Sequence, residues 1–464
     1  MATVIIKSGT TAISGATVKG DFSYFSGNTT TDLGPTTRTG LYAGIAAPNN
    51  GYTVYQVAGP NGVTARVASN TSELNSLLIS EGGTGSTVDQ NITWATNTNS
   101  VWINSGATVP ASLYYVGGAF TAYLGSTQNH FIKLNTNLSK DTTFDIGTGF
   151  DTEISAIAVD TNGKVYVGGG FTTFTGTSQN GLIRLNTDGS KDTSFNIGSG
   201  FDLYLNSCAV DSNQKVYAAG AFTSYSGISQ SYLARLNSNG VLDTTFNIGA
   251  GFNSYLNKVV VDSNLKVLAG GAFTTFTGVT QNRLIRLNTD GSKDTSFDIG
   301  TGFGGEVFEI LVNSNGKIYV SGTFTTYKGV TQNRIIRLNT DGTKDTAFNV
   351  GTGCNNGVLA MAIDTVNDKI YLGGAFTQFS GTASSRIVRL NSNGTKDTSF
   401  VIGAGFNTTV FSISINAEGR VMVGGNFTAY KGVTCNSNIL LNYDGSVYND
   451  TMLFNSTVSV NLAI

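Results

Sequence analysis

Side chains able to do acid–base, nucleophilic or metal chemistry are sparse in this 464-residue chain, and that scarcity bounds its function. Histidine occurs once, at His130, so neither a His-based triad nor a His-rich metal site has the residues to form. A glycosidase-type pair needs two carboxylates at unlike positions. Between residue 99 and Glu418, glutamate appears only at Glu153, Glu306 and Glu309. No phosphate-binding loop or dinucleotide fingerprint is present. Asn186-Thr-Asp188-Gly-Ser190-Lys-Asp192 sets oxygens at alternate positions, as the start of a calcium loop does. Its counterpart Asn237-Ser-Asn239-Gly-Val-Leu-Asp243 loses one oxygen, and no Glu stands at the required distance, so a turn braced by its own side chains is the plainer account. The expectation is a protein without catalytic residues, metal or cofactor.

Two further sets of residues are patterned. A basic residue precedes Leu-Asn at Lys133, Arg184, Arg235, Arg286, Arg337 and Arg389, and an Asp follows eight residues later at Asp141, Asp192, Asp243, Asp294, Asp345 and Asp397. Hairpin geometry brings such residues together across the turn, which predicts structural ion pairs. A seventh copy has Leu440 instead. The second set varies: Thr152-Glu153, Leu203-Tyr204, Ser254-Tyr255, Gly305-Glu306, Asn356-Gly357 and Thr408-Thr409 occupy equivalent places. Variable positions on a uniform scaffold are where a ligand face is built, although unconstrained surface variation gives the same pattern. Tyr204, Tyr255, Glu153 and Glu306 are the candidate ligand-binding residues.

The elements that position these residues are repeats. Gly-Gly-Ala-Phe-Thr or a near variant recurs with its phenylalanine at Phe120, Phe171, Phe222, Phe273, Phe324, Phe376 and Phe427, in steps of 51 residues with a single step of 52. A period of roughly 40–50 residues without helical segments marks a β-propeller, in which each small sheet buries its faces on its neighbours. In one unit, Ile154 to Val159, Lys164 to Phe171 and Leu182 to Asn186 read as strands. Asn-Gly and Asp-Gly turns between them accept positive φ. The first unit lacks a leading strand, and Phe454-Asn-Ser-Thr-Val-Ser-Val-Asn-Leu echoes Phe406-Asn-Thr-Thr-Val-Phe-Ser-Ile-Ser. Val458 to Leu462 is therefore expected to close a ring of seven blades; Val101-Trp-Ile-Asn104 is a competing candidate for the same slot.

Charged residues make up 12% of the chain and the net charge is −2, which gives no bulk attraction to nucleic acid or to an anionic membrane. No apolar run reaches the ~18 residues of a membrane span. The three cysteines, Cys208, Cys354 and Cys435, fall at different places in the repeat and outline no disulfide framework. Residues 1–98 stand outside the repeat and read as a small α+β module. It has a hairpin around Gly59-Pro-Asn-Gly62, a short helix opened by Asn70-Thr-Ser-Glu73 and running through Leu78, and a Thr/Asn-rich linker from Thr84 to Ser100. The domains expected are 1–98 and 99–464.

The phrase Ile183-Arg-Leu-Asn-Thr-Asp-Gly-Ser-Lys-Asp-Thr-Ser-Phe195, followed by Gly-x-Gly-Phe, resembles the delta-60 repeat family of β-propellers over about residues 105–464. That resemblance implies propeller repeats of the kind found in bacterial surface proteins and some bacteriophage proteins, with no catalytic residues to carry over. The N-terminal stretch resembles attachment modules of phage virion proteins, including those of crAss-like phages. Met1-Ala-Thr-Val-Ile-Ile-Lys7 has no basic start or long apolar core, so standard secretion is not the expectation for a chain that begins there. The expectation is a virion structural protein of fibre, tail or decoration type, homo-oligomeric, docked on other virion proteins and facing host glycan or protein. The alternative is a bacterial cell-surface or secreted adhesin-like propeller, and a glycan-active enzyme stands third.

Overall fold

The computed structural model describes residues 114–448 except 125, 136–137, 417–418 and 436; it also gives, as backbone strands, Val460–Ala463 and ten strands between Thr3 and Ile103. The chain divides into two units between Pro110 and Ala111. In the first, Thr53–Ala58 pairs antiparallel with Thr64–Ser69 across the expected hairpin. Of the short helix expected through Leu78, residues 70–77 lie outside the described residues; its last residue, Leu78, begins the strand Leu78–Ser80, which lies parallel to Thr3–Ser8. Ile92–Ala95, in the stretch expected to be linker, pairs with Ser100–Ile103, which also joins Thr64–Ser69. Val101 to Ile103 thus belongs to this first unit and closes no ring.

The second unit is all β among its described residues. Its grammar is clearest in the repeat whose inner strand is Ile154–Val159, middle strand Val165–Gly169 and outer strand Leu182–Leu185, paired antiparallel in that order. β-Branched and aromatic residues fill these strands. Asp160 makes the first turn, its carboxylate accepting from the Asn162 and Lys164 amides at 2.9 Å each, with Gly163 at φ +73°. Every residue of the middle strand is buried, because a sheet stacks on each of its faces. A two-residue hairpin, Thr173–Phe174 with Thr177–Ser178, follows, and Lys191 adds a final bridge to Leu185.

The same order recurs on inner strands Leu205–Val210, Leu256–Val261, Val307–Val312, Val358–Asp364 and Val410–Ile415. One further sheet runs Phe131–Leu134, Tyr114–Gly118, Val460–Ala463, with Leu462 opposite Val116. The C-terminal segment therefore supplies the inner strand that the first repeat lacks. Val460–Ala463 lies beside both Val410–Ile415 and Ile154–Val159, so the inner strands follow one another in a closed cycle. Packing closes the same way. Met422 and Leu440 of the last repeat share one buried cluster with Tyr114, Phe120 and Ile132 of the first. The Asn416 side-chain amide also donates to the Tyr114 hydroxyl at 2.6 Å.

Between neighbouring sheets the core is aromatic. Phe201 lies 4.6 Å from Phe222 and 4.7 Å from Tyr225, centroid to centroid, and equivalent trios recur, with Cys354 in the Phe201 position of one. Burying each such ring stabilises by about 1.5–3 kcal/mol. The glycines of the middle strand differ in purpose. A Cβ on Gly169 would strike the Glu153 carbonyl oxygen and the Ile154 Cα, whereas one on Gly170 would meet nothing closer than 3.7 Å. Other repeats accordingly place Ala at the second position, as in Ala221 and Ala272.

The basic–acidic pairs are buried clamps. Arg184 Nε stands 2.9 Å from Asp192 Oδ2, which also meets Lys164 Nζ at 3.0 Å; Ser194 donates to the other oxygen. Arg184 Nη1 reaches the next repeat, donating to the Ser238 carbonyl at 2.7 Å. Arg235, Arg286 and Arg337 reach Thr289, Thr340 and Ser392 in the same way, and Arg389 reaches Tyr443. Each arginine clamp thus locks one sheet to its successor as well as closing its own hairpin.

Candidate functional site

The Gly-x-Gly-Phe turn delivers each chain segment to the end of the sheets where the inner strands begin. Gly198 (φ +62°) and Gly200 (φ +74°) give the bend one of its instances. The residue after the Phe then caps the next hairpin: Asp151 accepts from the Thr172 amide (3.0 Å) and hydroxyl (2.6 Å), and Asn253 accepts from the Thr274 amide at 2.8 Å. That cap fixes the direction of the two variable residues that follow, and they crown the mouth of a central channel.

The candidate residues separate into two places. Tyr204 is 47% exposed. Tyr255, half-buried, donates its hydroxyl to Glu306 Oε1 at 3.2 Å. Burial raises the Tyr255 pKa, with the Glu306 charge and hydrogen bond and nearby Tyr204 adding to the rise, while Arg283 opposes it. Tyr204, Tyr255, Glu306 and Arg283 are therefore neighbours on adjacent sheets. Glu153 stands apart, beside His130: burial lowers the His130 pKa, while Asp151 and Glu153 pull it upward. The His130 ring donates through Nδ1 to the Gly118 carbonyl at 3.1 Å.

Below the mouth, a channel of about 660 Å³ runs between the inner strands. Each of the six inner strands from Ile154–Val159 to Val410–Ile415 has a β-bulge at its start, which turns one residue into the channel wall. On one side the bulged residues are polar and staple neighbouring strands: Asn206 donates to the Leu256 carbonyl at 2.9 Å and Asn257 to Val307 at 3.0 Å. On the other side they are Phe308, Leu359 and Phe411. Lys258 and Glu309 form a 2.8 Å ion pair inside the channel, where burial raises the Glu309 pKa against the opposing Lys258 charge.

The remaining sequence candidates are engaged in the frame. Asp188 accepts from the Ser190 amide (3.0 Å) and hydroxyl (2.7 Å), and Asp192 sits in its clamp, so protein donors hold the oxygens of the calcium-like loop. Cys208 is buried, which pushes its thiol up to about 12.

One set of rim residues escaped the sequence reading. The residue just before each outer strand has a left-handed backbone: His130, Tyr232, Arg283, Arg334, Arg386 and Ser437 have φ between +63° and +72°, and Gly181 has +77°. Each position lies next to the bend that ends the middle strand, as Gly169 N donating to Gly181 O shows. The signal available was the changing residue after Gln-Asn or its equivalent. It is visible once the repeats are stacked, but its place on the same end of the sheets as the variable pairs is not.

This architecture defines a repeat protein of the β-propeller class. Six stretches, residues 114–144, 161–195, 212–246, 266–297, 314–348 and 367–400, match the family described as "Domain of unknown function (DUF5122) beta-propeller". No curated protein matches the sequence. Among solved structures, the WD40 β-propeller domain of Doa1 is similar at 13% identity and a TM-score of 0.42, covering 68% of this chain and 87% of that one. A candidate 6-phosphogluconolactonase from Bacteroides fragilis is similar at 14% identity and a TM-score of 0.45, covering 77% and 99%.

Proposed function

We propose that this protein is a non-catalytic structural and binding component of a bacteriophage particle, of fibre, tail or decoration type. Residues 1–98 dock it on other virion proteins, a seven-bladed propeller projects outward as part of a homo-oligomer, and the channel mouth meets host-surface glycan or protein. The observation that supports a binding platform is where the repeats differ. Clamps, aromatic trios and hairpin caps are reproduced from sheet to sheet, while the residues around the mouth change, including the close group of Tyr204, Tyr255, Glu306 and Arg283. A fixed frame carrying changeable side chains at one end suits recognition.

Peptide mass spectrometry of purified particles tests the virion assignment, and absence of this chain from them ends it. A glycan array comparing the wild-type chain with Tyr204→Ala/Tyr255→Ala tests the face. Loss of the bound glycans is expected, and identical profiles discard the site.

A further inference from the structure

On the end of the sheets where the channel opens, charge is divided by sector. Arg283, Arg334 and Arg386 stand at the same left-handed position on three successive sheets, φ +72°, +68° and +70°. An L-residue with positive φ is uncommon and disfavoured there, and the second repeat shows that the frame accepts glycine, Gly181, at this place. Each arginine folds over the bend of its own sheet, donating through Nη1 to the carbonyl of Ala272, Thr323 or Ala375. The remaining guanidinium nitrogens have no ion pair among the described residues, in contrast to the clamp arginines. Arg334 Nε is buried and without a partner.

The hairpin-capping residue beside each position follows the same division. Next to Arg283, Arg334 and Arg386 it is Gly304, Asn355 and Asn407; next to His130 and Gly181 it is Asp151 and Asp202. The carboxylates of Asp151, Glu153 and Asp202 thus gather on one side, and the guanidiniums on the other. Glu306 is the acidic residue among the latter, and it is occupied by the Tyr255 hydroxyl. A chain of net charge −2 therefore presents a cationic arc spanning three sheets, bordered by Tyr232, Tyr255 and Tyr204.

We propose that this arc seats an acidic polysaccharide. Successive anionic groups pair with Arg283, Arg334 and Arg386, and sugar faces lie against Tyr232 and Tyr255. The inference rests on reading the mouth as a binding face and adds the class of ligand. A planar guanidinium fork matches the oxygens of carboxylate, sulfate and phosphate alike, and one group per sheet requires a polymer of repeated charge. Tyrosine offers an apolar face with a polar tip, suited to a sugar ring. The carboxylates across the mouth confine the polyanion to one sector.

The test is calorimetric titration of the full chain with polygalacturonate, heparin, a poly(glycerol phosphate), neutral dextran and oligo(dT). Polygalacturonate carries carboxylate alone, poly(glycerol phosphate) carries phosphate alone, and heparin carries sulfate together with carboxylate, so comparing the three identifies the recognised group. Binding of at least one of them, without dextran or oligo(dT), is expected. Arg283→Gln/Arg334→Gln/Arg386→Gln should weaken it about tenfold or more, while Lys191→Gln/Lys293→Gln/Lys344→Gln, removing equal charge from exposed positions elsewhere, should change it less than about twofold. If the triple arginine variant melts early, Arg283→Gln/Arg386→Gln, which keeps Arg334 with its buried Nε, reads the same loss. Equal losses in the arginine and lysine variants, an unchanged arginine variant, or preference for oligo(dT) overturns the proposal. Dextran binding abolished by Tyr204→Ala/Tyr255→Ala alone overturns it while leaving the binding face intact. Binding of none of the polymers removes both.

Discussion

Replacing Asp397 with Ala isolates the contribution of a single clamp. Arg389 is fully buried, with Nε 2.9 Å from Asp397 Oδ2, Nη1 on the Tyr371 hydroxyl at 3.0 Å and Nη2 on Ser399 at 2.8 Å. Lys369 shares the same carboxylate at 2.9 Å. Removing the acid leaves a guanidinium desolvated and unpaired at the joint with the next sheet, a change that costs about 3–5 kcal/mol. With an unfolding entropy of about 2.1 cal/mol/K per residue over roughly 350 residues, the melting temperature falls by about 4–7 °C. The seventh repeat supplies the companion experiment: Leu440 and Tyr448 stand where the other repeats have Arg or Lys and Asp, and both pack into the closing core. Transplanting that pair as Arg389→Leu/Asp397→Tyr should restore most of the loss, because apolar replacement of a buried ion pair is often neutral. Differential scanning calorimetry of the two variants decides the matter. A loss below about 1 kcal/mol for Asp397→Ala, the range of an exposed pair, refutes the clamp.

Further expectations concern acid, ring closure and backbone contact. Burial raises the carboxyls of Asp192, Asp243, Asp294 and Asp397, but hydrogen bonds and Arg and Lys charges outweigh it and hold them low, Asp294 at about 2. Because the folded pKa lies below the unfolded value of about 3.9, this stability is present above pH ~4 and is lost as pH falls towards the folded values; a melting temperature that stays flat from pH 5 to about pH 2 contradicts it. Deleting residues 460–464 removes the inner strand beside Tyr114–Gly118 and should sharply lower the melting temperature; an unchanged curve refutes closure by that strand. Gly169→Ala should cost about 1–3 kcal/mol by driving a Cβ into the Glu153 carbonyl, while Gly170→Ala stays within about 0.5 kcal/mol. Equal effects of the two in chemical denaturation would show that the contact is not the reason for the glycine.

The period, the strands of each repeat and the closing strand were legible because seven copies present the same local pattern, and a tail resembling an inner strand has one vacant place to fill. The eight-residue spacing of Arg184 and Asp192 likewise announced their pairing. It did not announce Lys164 as a third member or the reach to Ser238, since these depend on how two strands and two sheets are juxtaposed. Tyr255 and Glu306 were singled out for varying, yet their hydrogen bond joins neighbouring sheets and is visible only in the fold. Arg283, Arg334 and Arg386 were overlooked because a left-handed φ leaves no mark on an arginine in sequence. The expected helix through Leu78 rested on a four-residue capping pattern; residues 70–77 lie outside the described residues, and only Leu78, which stands in a strand, can be compared.

Tyr114–Gly118 finds its inner neighbour more than 300 positions later, at Val460–Ala463. During synthesis the earlier sheets can stack as they leave the ribosome, but the circle stays open, with a naked strand edge on Tyr114–Gly118, until Val460–Ala463 has emerged. Such an edge is a template for pairing with other chains. The nascent protein is thus open to sticking to its own kind for as long as Tyr114–Gly118 waits for Val460–Ala463.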